Sequence, residues 1–143
     1  MPKIEKSVSV NAEAGRVFEV LQQSDQFPQF LPYVKSVSVV ENTGDAQVLD
    51  WAVTAPGVGM EVRWRSRHTI HPSEHRITIQ PEGSSIVSLS GEWAVVSSGS
   101  SSELKANIEY QANVPPMFAG VAQKAVDEII TGWLNGFKKQ AEG

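Results

Sequence analysis

Between residues 35 and 112 the apolar residues of this chain recur at every second position. After residue 117 they recur at every third or fourth. A period of two builds strands with two unlike faces, and a period near 3.6 builds a helix with one apolar stripe. The change of period therefore predicts a sheet followed by one helix, each holding an apolar surface that the other must cover. Six strands are expected, near 35–41, 46–54, 60–71, 75–80, 85–97 and 102–112. The turn-forming runs ENTGD, APGVG, HPSE, PEGS and SGSS separate them. The last segment opens on Pro115 and Pro116, which a first helical turn tolerates. Phe118, Val121, Ala122, Ala125, Val126, Ile129, Trp133 and Phe137 then fall at helical spacing. That predicts a helix of about 22 residues, or about 33 Å.

Upstream, KIEKSVSV (3–10) alternates as a first strand. Asn11 stands at an N-cap position before AEAGRVFEVLQQ, whose Val17, Phe18 and Leu21 have helical spacing. SDQFPQFLP (24–32) reads as a short second helix, interrupted by Pro28 and ended by Pro32.

The strand registers can be checked against one another, because opposed residues in an antiparallel hairpin share a face. Setting Val95 opposite Leu104 also places Trp93 opposite Ala106, Gly91 opposite Ile108 and Leu89 opposite Tyr110. Ile70 facing Ile77 sets His68 opposite Ile79, and Trp64 facing Trp51 sets Val62 opposite Val53. One meandering sheet with a consistent apolar face follows. In this register Val62, Trp64, Ser66, His68 and Ile70 point inward, while Arg63, Arg65 and Arg67 point outward, with Arg65 opposite Asp50. The arginine row is thus expected as a solvated outer face, with a docking patch for a phosphate or an acidic partner as its alternative.

A chain of 143 residues suits one domain, 1–143, large enough to bury a core without staples. Cysteine is absent, which excludes disulfides and thiolate chemistry. The net charge of −4 disfavours nonspecific binding to nucleic acid or acidic membranes. The opening residues lack a signal-peptide apolar region, and no stretch is apolar enough for a membrane span. A soluble, cytoplasmic protein without stable membrane insertion is expected. Nothing in the pattern specifies an oligomeric state.

FPQFLPYVKSVSVVE (27–41) resembles the aromatic-Pro-x-Phe-Leu-Pro stretch of coenzyme Q-binding and bacterial polyketide cyclase/dehydrase-type proteins. GEWAV (91–95) is similar to that family's Gly-x-Trp, and SVSVNAEAGRVFEVL (7–21) to its first strand and helix. The resemblance spans nearly the whole chain and implies the α+β helix-grip fold of the START-like (SRPBCC) superfamily. Its order is a strand, two short helices, a six-stranded antiparallel meander and a long C-terminal helix over the sheet. It further implies a cavity between curved sheet and helix that holds a hydrophobic small molecule. Family aromatase/cyclases place an arginine and a tyrosine in that cavity. Here the matching inward position is His68, which puts cyclase chemistry in doubt.

Several constellations have competing readings. HPSEH (71–75) fits the His-x-x-Glu-His zinc pattern, but that pattern needs a helix and Pro72 interrupts it. A hairpin turn with no metal is expected. Gly57 and Gly59 in APGVGM lack the third glycine and following helix of a phosphate loop. Trp51, Trp64, Trp93 and Trp133 either fill the core or line a pocket. Ser66, His68 and Tyr110 either satisfy backbone groups or orient a ligand. Tyr33 and Phe30 belong to the core or border a cavity entrance. Gly120, Gly132 and Gly136 mark close packing of the terminal helix on the sheet, or flexibility that lets it lift.

The sequence therefore predicts a protein that binds or carries an aromatic, polyketide-like, lipid or prenylated quinone-like molecule, with no cofactor. The candidate ligand-binding residues are Tyr33, Trp51, Trp64, Ser66, His68, Trp93, Tyr110, Phe118, Ala125, Ile129 and Trp133. The alternative is a polyketide cyclase, aromatase or dehydratase using His68 and Tyr110 as acid and base.

Overall fold

The computed structural model describes residues 2–57, 59–83 and 85–143. Val58 and Ser84, in the expected APGVG and PEGS turns, lie outside the described residues. The elements are β1 (Lys3–Val10), α1 (Ala14–Leu21), α2 (Phe27–Phe30), β2 (Val34–Asn42), β3 (Ala46–Thr54), β4 (Glu61–His71), β5 (Arg76–Glu82), β6 (Val87–Ser98), β7 (Ser101–Ala112) and α3 (Ala119–Glu142). Short 3₁₀ turns at Ser24–Gln26, Pro72–Glu74 and Pro116–Phe118 introduce α2, β5 and α3.

The strands form one antiparallel sheet in the order β1-β7-β6-β5-β4-β3-β2. The expected registers are those observed. Trp51 faces Trp64, Asp50 faces Arg65, His68 faces Ile79, and Leu89 faces Tyr110. The expected first strand joins the six-stranded meander as a seventh member of the sheet, because β1 pairs with β7, Ile4 opposite Ile108 and Val8 opposite Leu104. The alternating pattern of β1 supplied a strand but no partner, since its neighbour lies about a hundred residues away.

The inner face carries the core. Leu49, Trp51, Val53, Ile77, Trp93, Leu104 and Ile108 are all buried. The second half of α3 covers them with Ile130, Trp133, Leu134 and Phe137. Leu21 and Phe27, from α1 and α2, complete the same cluster. Gly91 allows β6 to lie close to β7. Its φ is +132°, and an added Cβ would stand 2.0 Å from the Asn107 carbonyl oxygen. β5 and β6 pair from Arg76–Ala94 only as far as Ile79–Gly91. Beyond that pair no further pairing joins the two strands among the described residues.

Three local expectations need correction. Asn11 is not the N-cap; Glu13 is, and helix α1 starts at Ala14. The backbone N–H of Asn11 instead donates to Glu142 Oε2 at 2.8 Å, a tertiary bond to the far end of α3. Gly132 and Gly136 do pack closely, but not against the sheet. A Cβ at Gly132 would stand 2.7 Å from Pro32 Cγ, and one at Gly136 would stand 2.5 Å from the Phe30 carbonyl oxygen. Their partner is the end of α2 and the chain that leads from it to β2, while Gly120 has open space around it. Finally, Phe118 and Val121 do not cover the sheet. Both are about half exposed, since α3 is buried only from Ala125 onward.

Candidate functional site

The first half of α3 does not close on the sheet, and a cavity of about 370 Å³ remains between them. Its sheet wall is Val53, Ala55, Met60, Val62 and Trp64 from the β3–β4 hairpin, with Ile86, Val87 and Leu89 from β6 and its approach. Ala112, Val114 and Pro115 lead into the helix wall of Phe118, Val121, Ala122, Ala125, Val126 and Ile129. The space exists because small side chains stand on the inner face of the helix here: Ala122 and Ala125, where Trp133 and Phe137 fill the corresponding positions further along. Every lining residue among the described residues is of apolar type. Met60, Ile86, Phe118 and Val121 are about half exposed and form its mouth.

The other end of the inner face is solid. Trp51 stacks against Trp64, centroids 5.7 Å apart and planes 9° apart, and against Trp133 at 5.0 Å. Phe27 stacks on Trp51 at 5.7 Å, and Phe137 meets Trp93 edge-on at 5.2 Å. The Trp133 indole N–H donates to the Pro32 carbonyl at 3.0 Å, which ties the FPQFLP segment to α3. The remaining void is about 20 Å³, room for roughly one water.

Ser66 and His68 border that void. Trp51 Nε1–H donates to Ser66 Oγ at 2.9 Å, and Ser66 Oγ lies 2.8 Å from His68 Nε2. When the Ser66 hydrogen is directed at Nε2, the imidazole carries its proton on Nδ1. Burial pushes His68 down to about 4, so the ring is neutral at ordinary pH. Tyr110 is buried on β7 opposite Leu89, and burial raises its phenol. It belongs to neither lining.

Of the predicted site residues, Trp64, Phe118, Ala125 and Ile129 therefore line the large cavity. Trp51, Ser66, His68, Trp93 and Trp133 gather with Trp64 around the packed end. Tyr33 joins neither group. Its φ of +69° is left-handed, and its ring edge approaches Gly132 of α3. His68 and Tyr110 do not meet across a shared space, so the geometry does not assemble the acid/base pair of the alternative reading.

The lining residues that sequence reasoning missed, among them Met60, Ile86, Val87 and Val114, had one legible signal. Residues 55–60, 83–91 and 110–123 contain no charged side chain, although charged residues make up 20% of the protein. All three uncharged stretches converge on the cavity.

The outer face holds the arginines, each beside a carboxylate. Arg65 bonds Asp50 bidentately at 2.6 and 3.0 Å, which holds that carboxyl below its usual range. Arg63 bonds Glu61 at 2.6 Å, Arg67 bonds Glu82 at 2.7 Å, and Arg76 bonds Glu74 at 3.0 Å. A row so neutralised presents little free positive charge to a phosphate. HPSEH forms the β4–β5 turn, with His75 left-handed at φ +49° and its ring 5.3 Å from Phe18.

A curved antiparallel sheet gripped by a long C-terminal helix over an apolar cavity is the helix-grip architecture of START-type proteins. The chain belongs to the polyketide cyclase / dehydrase and lipid transport family, whose model matches residues 10–138. No curated protein matches it in sequence. Solved structures share the fold at low identity. A protein of Thermus thermophilus superposes with a TM-score of 0.89 at 19% identity, over 98% of this chain and 97% of that one. The Zhui aromatase/cyclase of a Streptomyces species gives 0.86 at 22% identity, over 99% and 93%. A STAR-related lipid transfer protein of Xanthomonas axonopodis gives 0.78 at 17% identity, over 99% and 86%.

Proposed function

We propose that the protein binds an apolar small molecule in the cavity beneath the first half of α3, and holds or carries it chemically unchanged. The observation that carries this reading is the lining itself, whose described residues are all of apolar type. A hydrocarbon gains there by leaving water, about 25 cal/mol for each Å² it buries. A carbonyl or hydroxyl placed there, away from the Trp64 indole N–H, would lose its hydration without a side-chain partner, at about 1–3 kcal/mol each. That penalty weighs against a poly-β-keto substrate and favours a lipid or prenyl group over a polyketide.

The rival reading is acid/base catalysis by His68, which family kinship with cyclases keeps in play. It has a neutral imidazole in its favour. Against it, the ring is not in the lining of the large cavity, and its side-chain hydrogen bond among the described residues is to a serine rather than an activating carboxylate.

Native mass spectrometry of the purified protein, followed by thermal shift with the molecule it releases, tests the proposal. A co-purifying apolar compound that raises the melting temperature and is released unchanged supports it. At 100 times its dissociation constant such a ligand adds about 2.7 kcal/mol of stability. Turnover of a poly-β-keto substrate that His68→Ala lowers by a factor of roughly 100 or more would replace it with the enzyme reading.

A further inference from the structure

The large cavity and the small void beside His68 share two wall residues, Trp64 and Leu89. The Trp64 indole is buried and lies nearly parallel to Trp51, which stacks in turn on Trp133. Trp64 is thus backed by a rigid aromatic stack. On the void side of this wall stand Ser66 and His68, hydrogen-bonded to each other at 2.8 Å. On the cavity side the lining residues among the described residues are all of apolar type. Trp64, with Leu89 beside it, therefore separates an apolar compartment from a buried hydrogen-bonding pair.

The dimensions of the apolar compartment bound what enters it. A space of about 370 Å³ takes roughly a dozen non-hydrogen atoms, at the ~30 Å³ each that water occupies in the liquid. Among the described lining residues the hydrogen-bond donor is the Trp64 indole N–H alone. Water is within reach at the mouth, between the half-exposed Met60, Ile86, Phe118 and Val121. Resting on the binding reading above, we infer that the ligand is an amphiphile. Its hydrocarbon part, about a dozen carbons, fills the cavity while its polar end stays at the mouth. Trp64 is the stop that sets how long that hydrocarbon part can be.

This assigns Trp64 a role that core packing alone does not require. A core residue sets stability; a stop sets which length binds best. Saturated fatty acids from hexanoic to octadecanoic, each below its micelle concentration, are titrated calorimetrically into the full chain and into Trp64→Ala and Trp64→Phe. In the parent protein affinity rises by up to about fourfold per added methylene while the chain is still entering the cavity, then levels off. Trp64→Ala moves the levelling point to longer acids by roughly two or more methylenes, because the surrounding core relaxes only partly into the space. Trp64→Phe, the gentler change, moves it in the same direction by a smaller step. If the parent and both variants level off at the same acid, Trp64 is not the stop. If parent affinity keeps rising through octadecanoic acid, the cavity has no stop at all. If no acid of any length binds the parent, the binding reading itself fails, separately from the role given to Trp64.

Discussion

Trp51 donates its indole N–H to Ser66 Oγ, 2.9 Å away on the neighbouring strand, and both groups are buried. The bond supplies the indole with a partner where water cannot reach, and it leaves the Ser66 hydrogen for His68. Removing the hydroxyl strands the donor. Ser66→Ala should cost about 1–3 kcal/mol, the penalty for an unpaired buried polar group, read from the urea midpoint. It should leave the affinity for an apolar ligand nearly unchanged, because Ser66 is not in the cavity lining.

The imidazole of His68 makes stability depend on pH. In the unfolded chain it takes up a proton near its ordinary value of 6.5, whereas burial delays that uptake to about 4 in the fold. Between those values the unfolded state binds more protons, so stability is full above about 6.5 and declines as pH falls towards 4. The slope is at most about 1.4 kcal/mol per pH unit. Urea unfolding of the parent and of His68→Gln across this window isolates the effect from the carboxylates that titrate lower down. The variant should lose less stability on acidification, and parallel curves would contradict the assignment.

Gly91 is where substitution should be most damaging. A methyl group there meets the Asn107 carbonyl oxygen at 2.0 Å and must adopt a backbone angle rare for any side chain. Gly91→Ala should cost about 3 kcal/mol or more, visible as a large drop in melting temperature.

The arginine row should be nearly silent. Arg63 is well exposed and shares Glu61 with Lys35. Arg63→Ser should change stability by no more than about 0.5 kcal/mol in denaturant unfolding. A loss of several kcal/mol would mean that the outer face does structural work beyond these ion pairs.

Ala125 tests the cavity from the helix side. Its methyl group lines the space, so Ala125→Trp places an indole where ligand is proposed to sit. Ligand titration should show binding abolished, while the melting curve barely moves. A closed core would instead give overpacking, a loss of about 1–3 kcal/mol with no binding to lose.

Much of this architecture is a local property, and so it was readable in one dimension. Alternation assigns each side chain to a face, and a short turn forces its strand partners into register. Trp51 opposite Trp64 and Asp50 opposite Arg65 follow from those two rules alone. The outward arginines and the hairpin at HPSEH follow in the same way. Distance along the chain hides the rest. The pairing of β1 with β7 and the bond from Asn11 to Glu142 join segments about a hundred or more residues apart. No local pattern encodes them. Nor does periodicity say which part of an apolar face is filled. Trp51, Trp93 and Trp133 are as inward-facing as Val53 and Val62, yet the first three pack solid with Phe27 and Phe137 while the others wall an open space. That division is a matter of summed volumes where α3 crosses the sheet. It arises only when bulky aromatics and small alanines, distant in sequence, are brought face to face.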